Sequence, residues 1–196
     1  MVAWPIEMAK ESNLFDHILV STDDEEIANI SRSFLAEVPF TRPSDLSNDY
    51  AGTADVMAHS VNWMHAEGWE PEAICCIYAT SVFLDKNDIK KGYDNLINGD
   101  WFYSFSATDF EYPIFRSFKK RNNGGVEMFF PEHFQSRSQD LPEALHDAAQ
   151  FYWGKPESWL NKLKFFDQHS KPVIIPRWRI QDIDTVIQPI LDNNAD

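Results

Sequence analysis

Apolar runs of strand length alternate along this chain with amphipathic stretches of helical length, and that alternation restricts it to folds in which helices cross over between neighbouring strands. The strand candidates are Ile18-Leu19-Val20-Ser21, Ala73 to Ala79, Trp101 to Ala107, Val126 to Phe130 and Val173-Ile174-Ile175. Between the first two lie helical patterns at Glu25 to Leu35 and Thr53 to Glu67, with Asp23 expected to cap the first and Gly68 to stop the second. Strand, helix, strand in that order predicts a Rossmann-like three-layer α/β fold with a mostly parallel sheet and right-handed crossovers. One segment departs from this pattern. Ile114 to Phe118 and Val126 to Phe130 flank Arg121-Asn122-Asn123-Gly124-Gly125, whose Asn and Gly residues supply the positive φ angles of a tight turn and predict a hairpin.

At 196 residues, residues 1–196 are expected to form a single domain with a full core. No segment is long, apolar and uncharged enough to span a bilayer, and Glu7, Lys10 and Glu11 interrupt the amino-terminal stretch where a signal peptide would need a continuous apolar core. A cytoplasmic location and no membrane partner are therefore expected. Cys75 and Cys76 are sequence neighbours in an apolar run, so on a strand they point to opposite faces, and reduced buried thiols are expected. Thirty-one acidic against seventeen basic residues give a formal charge of −14, which repels the phosphate backbone of nucleic acid and excludes it as an expected partner.

Several side chains stand where chemistry could be done. Asp182 and Asp184 are two apart, which on an extended strand turns both carboxylates to one face, within reach of one hard cation. Mg²⁺ suits such a pair, because it is held by one or two carboxylates together with phosphate oxygens and waters. A solvated strand end in an acidic protein has the same spacing, so the two readings stand side by side. The planar fork of Arg137 matches phosphate or carboxylate oxygens, although a surface ion pair is the commoner use of a single arginine. Tyr78 and Thr80 end a strand candidate, and open α/β sheets bind ligands at the carboxyl ends of their strands; Tyr78 as a core aromatic is the competing reading. His146-Asp147 resembles a catalytic pair, but no serine or cysteine nucleophile motif accompanies it, so a recognition role is expected for that group.

The stretch Arg137 to Gly154, RSQDLPEALHDAAQFYWG, read with Gln181-Asp182-Ile183-Asp184-Thr185, resembles the cytidylyltransferases that activate nine-carbon sialic-acid-like sugars (nonulosonic acids) for surface or flagellin glycosylation. Its wording is most similar to the CMP-pseudaminic acid synthetases. Ser21-Thr22-Asp23-Asp24, Arg42-Pro43 and Leu46-Ser47-Asn48-Asp49 extend the resemblance over nearly the whole chain. It implies transfer of CMP from CTP to the anomeric hydroxyl of a nonulosonic acid, with release of pyrophosphate. The implied roles are catalytic for Arg137 and Asp184, metal-binding (Mg²⁺) for Asp182 and Asp184, nucleotide-binding for Arg42 and Thr53, and substrate-binding for Tyr78, Thr80, Arg116, Gln150 and Tyr152. Gln139 and Asp140 would shape the Arg137 loop. A homodimer is also implied, the hairpin excursion packing onto the partner's site.

The chain departs from the pattern at several places. Tyr78-Ala79 replaces the Gln-Pro of sialic acid synthetases, which points to the pseudaminic branch. Ala148-Ala149 stands where the sialic type has Asn-Gly and the pseudaminic type Ala-Gly. Val186-Ile187-Gln188 replaces an acidic residue often found after the aspartate pair. Family members also open with a strand and a Gly-rich basic loop for the CTP phosphates, whereas this sequence starts at Met1-Val2-Ala3, so poor CTP binding by the chain as given is expected. Activation of sialic or legionaminic acid, and an inactive sugar-binding or dimer-forming remnant, remain alternatives at this stage.

Overall fold

A computed structural model describes residues 1–180; the expected metal pair Asp182 and Asp184, with Thr185, lies outside the described residues. The elements in chain order are α1 (Ala3–Ser12), α2 (Glu25–Ser33), α3 (Thr53–Ala66), β1 (Ile74–Ile77), α4 (Lys86–Asn98), β2 (Tyr103–Asp109), β3 (Phe118–Lys120), β4 (Val126–Met128), β5 (Leu145–Gly154), α5 (Pro156–Leu160) and β6 (Ser170–Ile174). The strands expected at Ala73–Ala79, Trp101–Ala107 and Val173–Ile175 are thus present with shifted ends.

β1, β5, β2 and β6 form a four-stranded sheet in that order. β5 runs antiparallel to both β1 and β2, and β2 and β6 are parallel. The sheet is therefore mixed, which corrects the expectation of a mostly parallel one. The cause is the segment Leu145–Gly154, which forms a central strand between β1 and β2. In its second half the side chains alternate cleanly. Phe151 and Trp153 enter one core cluster with Ile89 and Leu96 of α4 and Val173 of β6. Tyr152 enters the other, with Met57, Val61 and Met64 of α3, Tyr103 and Phe105 of β2, and Trp159 of α5. Helices thus cover both faces, giving the three layers the alternating pattern predicts.

Local chemistry sets the element ends. The carboxylate of Asp24, not the expected Asp23, accepts the Ile27 N–H at 2.8 Å and caps α2. Asp85 does the same for α4, accepting the Asn87 N–H at 2.7 Å. Gly68, at φ +80°, lets the chain turn back so that the Trp69 N–H reaches the Met64 carbonyl at 2.9 Å. Ile18–Ser21 does not make a sheet strand: it meets its neighbours only through isolated parallel bridges, Leu19 with Glu37 and Thr22 with Thr41. The hairpin is present, β3 against β4, closed by Arg121 N–H to Gly125 carbonyl at 2.8 Å with Gly124 at φ +86°. Its first arm begins later than expected, because Pro113 starts a 3-10 turn at Ile114–Arg116. No helix among the described residues is long and apolar enough to cross a membrane.

Candidate active site

A cleft of ≈ 890 Å³ opens beside β1, walled by α1, the Leu14–Ser21 segment, the start of α3 and the carboxyl end of β1. Four of the residues assigned by resemblance line it together: Arg42, Thr53, Tyr78 and Thr80. Thr53 is the first residue of α3, and Gly52 before it has no side chain to cap the helix, so the Thr53 and Ala54 N–H groups are left for other acceptors while the Asp55 N–H turns back to the Gly52 carbonyl at 3.0 Å. Tyr78 follows β1, and its phenol oxygen lies 2.5 Å from Thr53 Oγ1, joining strand end to helix start. Arg42 is held in the wall by Nε donating to Ser47 Oγ at 3.1 Å and Nη2 to Asp23 Oδ1 at 3.4 Å.

The cysteines lie along the same strand, unbridged and half-buried, Cys75 packed against one core cluster and Cys76 against the other, as strand geometry requires. Apolar surroundings disfavour the thiolate and push Cys76 up to about 12. Burial likewise raises Cys75 well above the usual thiol range, with the Cys76 charge adding to it.

The HDAAQFYWG stretch builds a pronounced bulge rather than a reactive dyad. Tyr152 sits opposite Phe105, but Asp147 sits opposite Ala107, so β5 carries extra residues across from Ser106. The buried hydroxyl of Ser106 accepts the N–H groups of Gln150 and Phe151 at 3.0 and 3.2 Å, which satisfies backbone that the bulge removes from the ladder. Ala149 takes φ +50°, a left-handed conformation, and its N–H is accepted by Asp147 Oδ1 at 2.9 Å. The other carboxylate oxygen of Asp147 accepts the Tyr152 phenol proton. Burial first, and this donation second, raise the Tyr152 phenol far above its ordinary range. His146 Nδ1 faces the Asp147 backbone carbonyl at 2.9 Å, not its carboxylate, and its ring packs on Phe110.

The remaining assigned residues among those described are not in the cleft wall. Tyr152 is 2% exposed, stacks on Phe105 and meets the Tyr78 ring at a tilt. Gln150 is also buried; its Nε2 donates to the Arg179 carbonyl at 2.7 Å and its Oε1 has no partner among the described residues. Arg116 ends the 3-10 turn before the hairpin. Arg137 is exposed, its fork donating to both oxygens of Asp140 at 2.7 and 3.0 Å, so a carboxylate stands where a phosphate or sugar carboxylate could be held. Sequence reasoning missed Asp85, Asp88 and Arg179, which form an ion-pair cluster behind the bulge. Asp85, four residues before Ile89 in a run with Gly92 and Leu96, carried a readable helix-start signal; the pairing with Arg179 did not.

Residues 1–123 match the family model described as cytidylyltransferase. The chain is 39% identical over 186 residues to a pseudaminic acid cytidylyltransferase of Campylobacter jejuni, covering 95% of this chain and 80% of that protein. It is 33% identical over 184 residues to a Helicobacter pylori protein named as both a pseudaminic acid cytidylyltransferase and a UDP-2,4-diacetamido-2,4,6-trideoxy-beta-L-altropyranose hydrolase, covering 93% of this chain and 35% of that one. Among solved structures, a CMP:2-keto-3-deoxy-manno-octonic acid synthetase complexed with CTP superposes with a TM-score of 0.56 at 12% identity, covering 87% of this chain and 79% of that one. A 4-diphosphocytidyl-2C-methyl-D-erythritol synthase from Anaerococcus prevotii gives 0.58 at 10% identity, covering 94% and 83%. The structural likeness carries the fold and the sequence likeness carries the family: this chain belongs to the cytidylyltransferases.

Proposed function

We propose that this protein transfers CMP from CTP to pseudaminic acid, releasing pyrophosphate. The observation that carries the reading is the convergence of Arg42, Thr53, Tyr78 and Thr80 on one cleft in a chain similar over 95% of its length to a pseudaminic acid cytidylyltransferase. The uncapped N–H groups of α3 and the Arg42 guanidinium suit an anionic nucleotide, and the Tyr78 phenol and Thr80 hydroxyl at the strand end suit a polyhydroxylated sugar. Arg137 and Arg116 would add positive charge against the acid sugar or the triphosphate.

Asp182 and Asp184 would hold Mg²⁺. Two carboxylates leave most of the ion's coordination shell to phosphate oxygens and water, which fits a nucleotidyl transfer, and the ion would neutralise the charge developing on the pyrophosphate leaving group. The protein's own part is alignment: the sugar hydroxyl must face the α-phosphate in line, and the cleft groups hold both substrates for that approach. Phe118, Phe129 and Phe134, exposed on and beside the hairpin, would be covered in a homodimer.

The deciding experiment is pyrophosphate release with CTP, Mg²⁺ and a panel of pseudaminic, legionaminic and sialic acids. Turnover confined to, or at least tenfold faster with, pseudaminic acid is expected; equal rates with sialic acid would overturn the sugar assignment.

A further inference from the structure

The chain turns a tight corner where β1 ends at the cleft. The Ser81 N–H reaches back to the Tyr78 carbonyl at 3.1 Å, and the Val82 N–H to the Thr80 carbonyl at 2.8 Å. The bulge of the neighbouring strand β5 holds this corner. One acceptor there, the Gln150 carbonyl, takes both the Tyr78 N–H at 3.1 Å and the Ser81 hydroxyl at 3.0 Å. Ser81 is 4% exposed, whereas Thr80 before it and Val82 after it are half-buried. The Gln150 peptide is itself fixed, because Ser106 Oγ accepts its N–H at 3.0 Å. Asp147, which accepts the Tyr152 phenol proton, also steadies the ring against which Tyr78 packs.

Packing does not require a hydroxyl at Ser81. Alanine would fill nearly the same space, and the Gln150 carbonyl would still be satisfied by the Tyr78 N–H. What the hydroxyl adds is a second fixed point on the same oxygen. The Ala79-Thr80 segment is then tied at both ends, with Thr80 held where it lines the cleft. Groups presented from a tied segment lose little freedom when a ligand binds, so the tie contributes to affinity. Resting on the reading that Tyr78 and Thr80 face the sugar, we propose that Ser81 is a positioning residue, whose bond to the β5 bulge keeps the Tyr78–Thr80 corner in its sugar-binding shape. Gln150 serves the sugar through its backbone carbonyl, from a buried position outside the cleft wall.

The test compares Ser81→Ala with Ser31→Ala, which deletes another buried serine bond, from Ser31 Oγ to the Ile27 carbonyl within α2. Each should lower Tm by roughly 3 °C, the loss of one such bond. Only Ser81→Ala should speed amide exchange at positions 81 and 82, by about tenfold, because only it frees the corner. In pyrophosphate release Ser81→Ala should raise the KM for pseudaminic acid about tenfold, with kcat and the CTP KM at parental values, the pattern of a lost binding contribution. Ser31→Ala should leave all three parameters unchanged. An unchanged sugar KM in Ser81→Ala overturns the positioning role, and an equal rise in Ser31→Ala overturns it as well, by showing a general effect of stability. Exchange needs no substrate and tests the tie alone: unchanged rates at both amides overturn it. Failure of the underlying reading shows separately in the parent, where absence of turnover with pseudaminic acid overturns that reading and the proposal with it.

Discussion

The hydroxyl of Thr53 and the phenol of Tyr78 meet at 2.5 Å across the cleft wall, linking the first residue of α3 to the end of β1. Burial raises the Tyr78 phenol above its ordinary range and the Thr53 hydrogen bond opposes that shift, so the phenol stays protonated and its proton is available to the bond or to a ligand. Tyr78→Phe keeps the ring packed on Tyr152 and removes only the hydroxyl. Each of Tyr78→Phe and Thr53→Val should lose about 1 kcal/mol of stability, and the double variant little more than either, since both delete the same bond. Urea melts of the four proteins measure this. Additive losses would show that the two hydroxyls are not coupled.

How much of this arrangement was legible beforehand depends on whether the cause is local. The turn at Asn123-Gly124, the stop at Gly68 and the bodies of α2 and α3 follow from residues within a few positions of each other, and they stand where the sequence places them. Asp23 and Asp24 both suit a cap, and nothing local distinguishes them; Thr22 and Arg42 decide, because Asp23 is turned to Arg42 and Asp24 is left for the helix. Strand direction was beyond reach for a similar reason. β5 is apolar and alternating only over Phe151 to Gly154, and its first half is a bulge held by Ser106, a residue 44 positions before Gln150. The Arg179–Asp88 pair joins residues 91 apart. The family motif was recognisable as wording, but which of its residues face the cleft and which face the core required the sheet.

The last letter of that motif has a packing explanation. A Cβ on Gly154 would lie 2.6 Å from Trp159 Nε1 and 2.7 Å from Tyr103 Cε1, two side chains with no exposed surface and no room to withdraw. Gly154→Ala should therefore cost at least about 2 kcal/mol through overpacking, while the KM values of the folded fraction stay at those of the parent. A variant with parental thermal stability would show that the Trp159–Tyr103 contact yields more easily than close packing allows.

Ala149 presents the opposite case. It holds φ +50° in the bulge, where an L-residue with a Cβ is strained by about 1–2 kcal/mol relative to glycine. Ala149 is exposed, so removing its methyl group leaves no cavity. Glycine has more backbone freedom to lose on folding, which takes back roughly 0.5–1 kcal/mol. Ala149→Gly should thus stabilise the protein by on the order of 1 kcal/mol, seen as an upward shift of Tm with the bulge bonds to Ser106 and Asp147 preserved. A fall in Tm would mean that the bulge relaxes around the alanine and stores no strain.

The paired thiols make stability depend on alkaline pH. Cys76 is raised to about 12 from an ordinary value of 9.0, mainly by burial, so the native state keeps it protonated while the unfolded chain ionises it near 9.0. A group with a raised folded pKa contributes stability that is fully present below its unfolded pKa and is lost as pH climbs through the interval between the two. Stability should therefore be flat with respect to this thiol below about pH 8.5 and fall by up to about 1.4 kcal/mol per pH unit between roughly 9 and 12. Cys75 shifts in the same direction and steepens the fall, and above about pH 10 the buried Tyr103 and Tyr152 phenols, also raised by burial, add to it. Cys76→Ala isolates one thiol from the rest. Its urea-derived stability, lower than the parent's at pH 8 because of the lost packing, should approach the parent's as pH rises to 10.5, where the parent has lost about half of the Cys76 contribution. Parallel curves for the two proteins would show that the Cys76 thiol meets enough water in the cleft to titrate as it does in the unfolded chain.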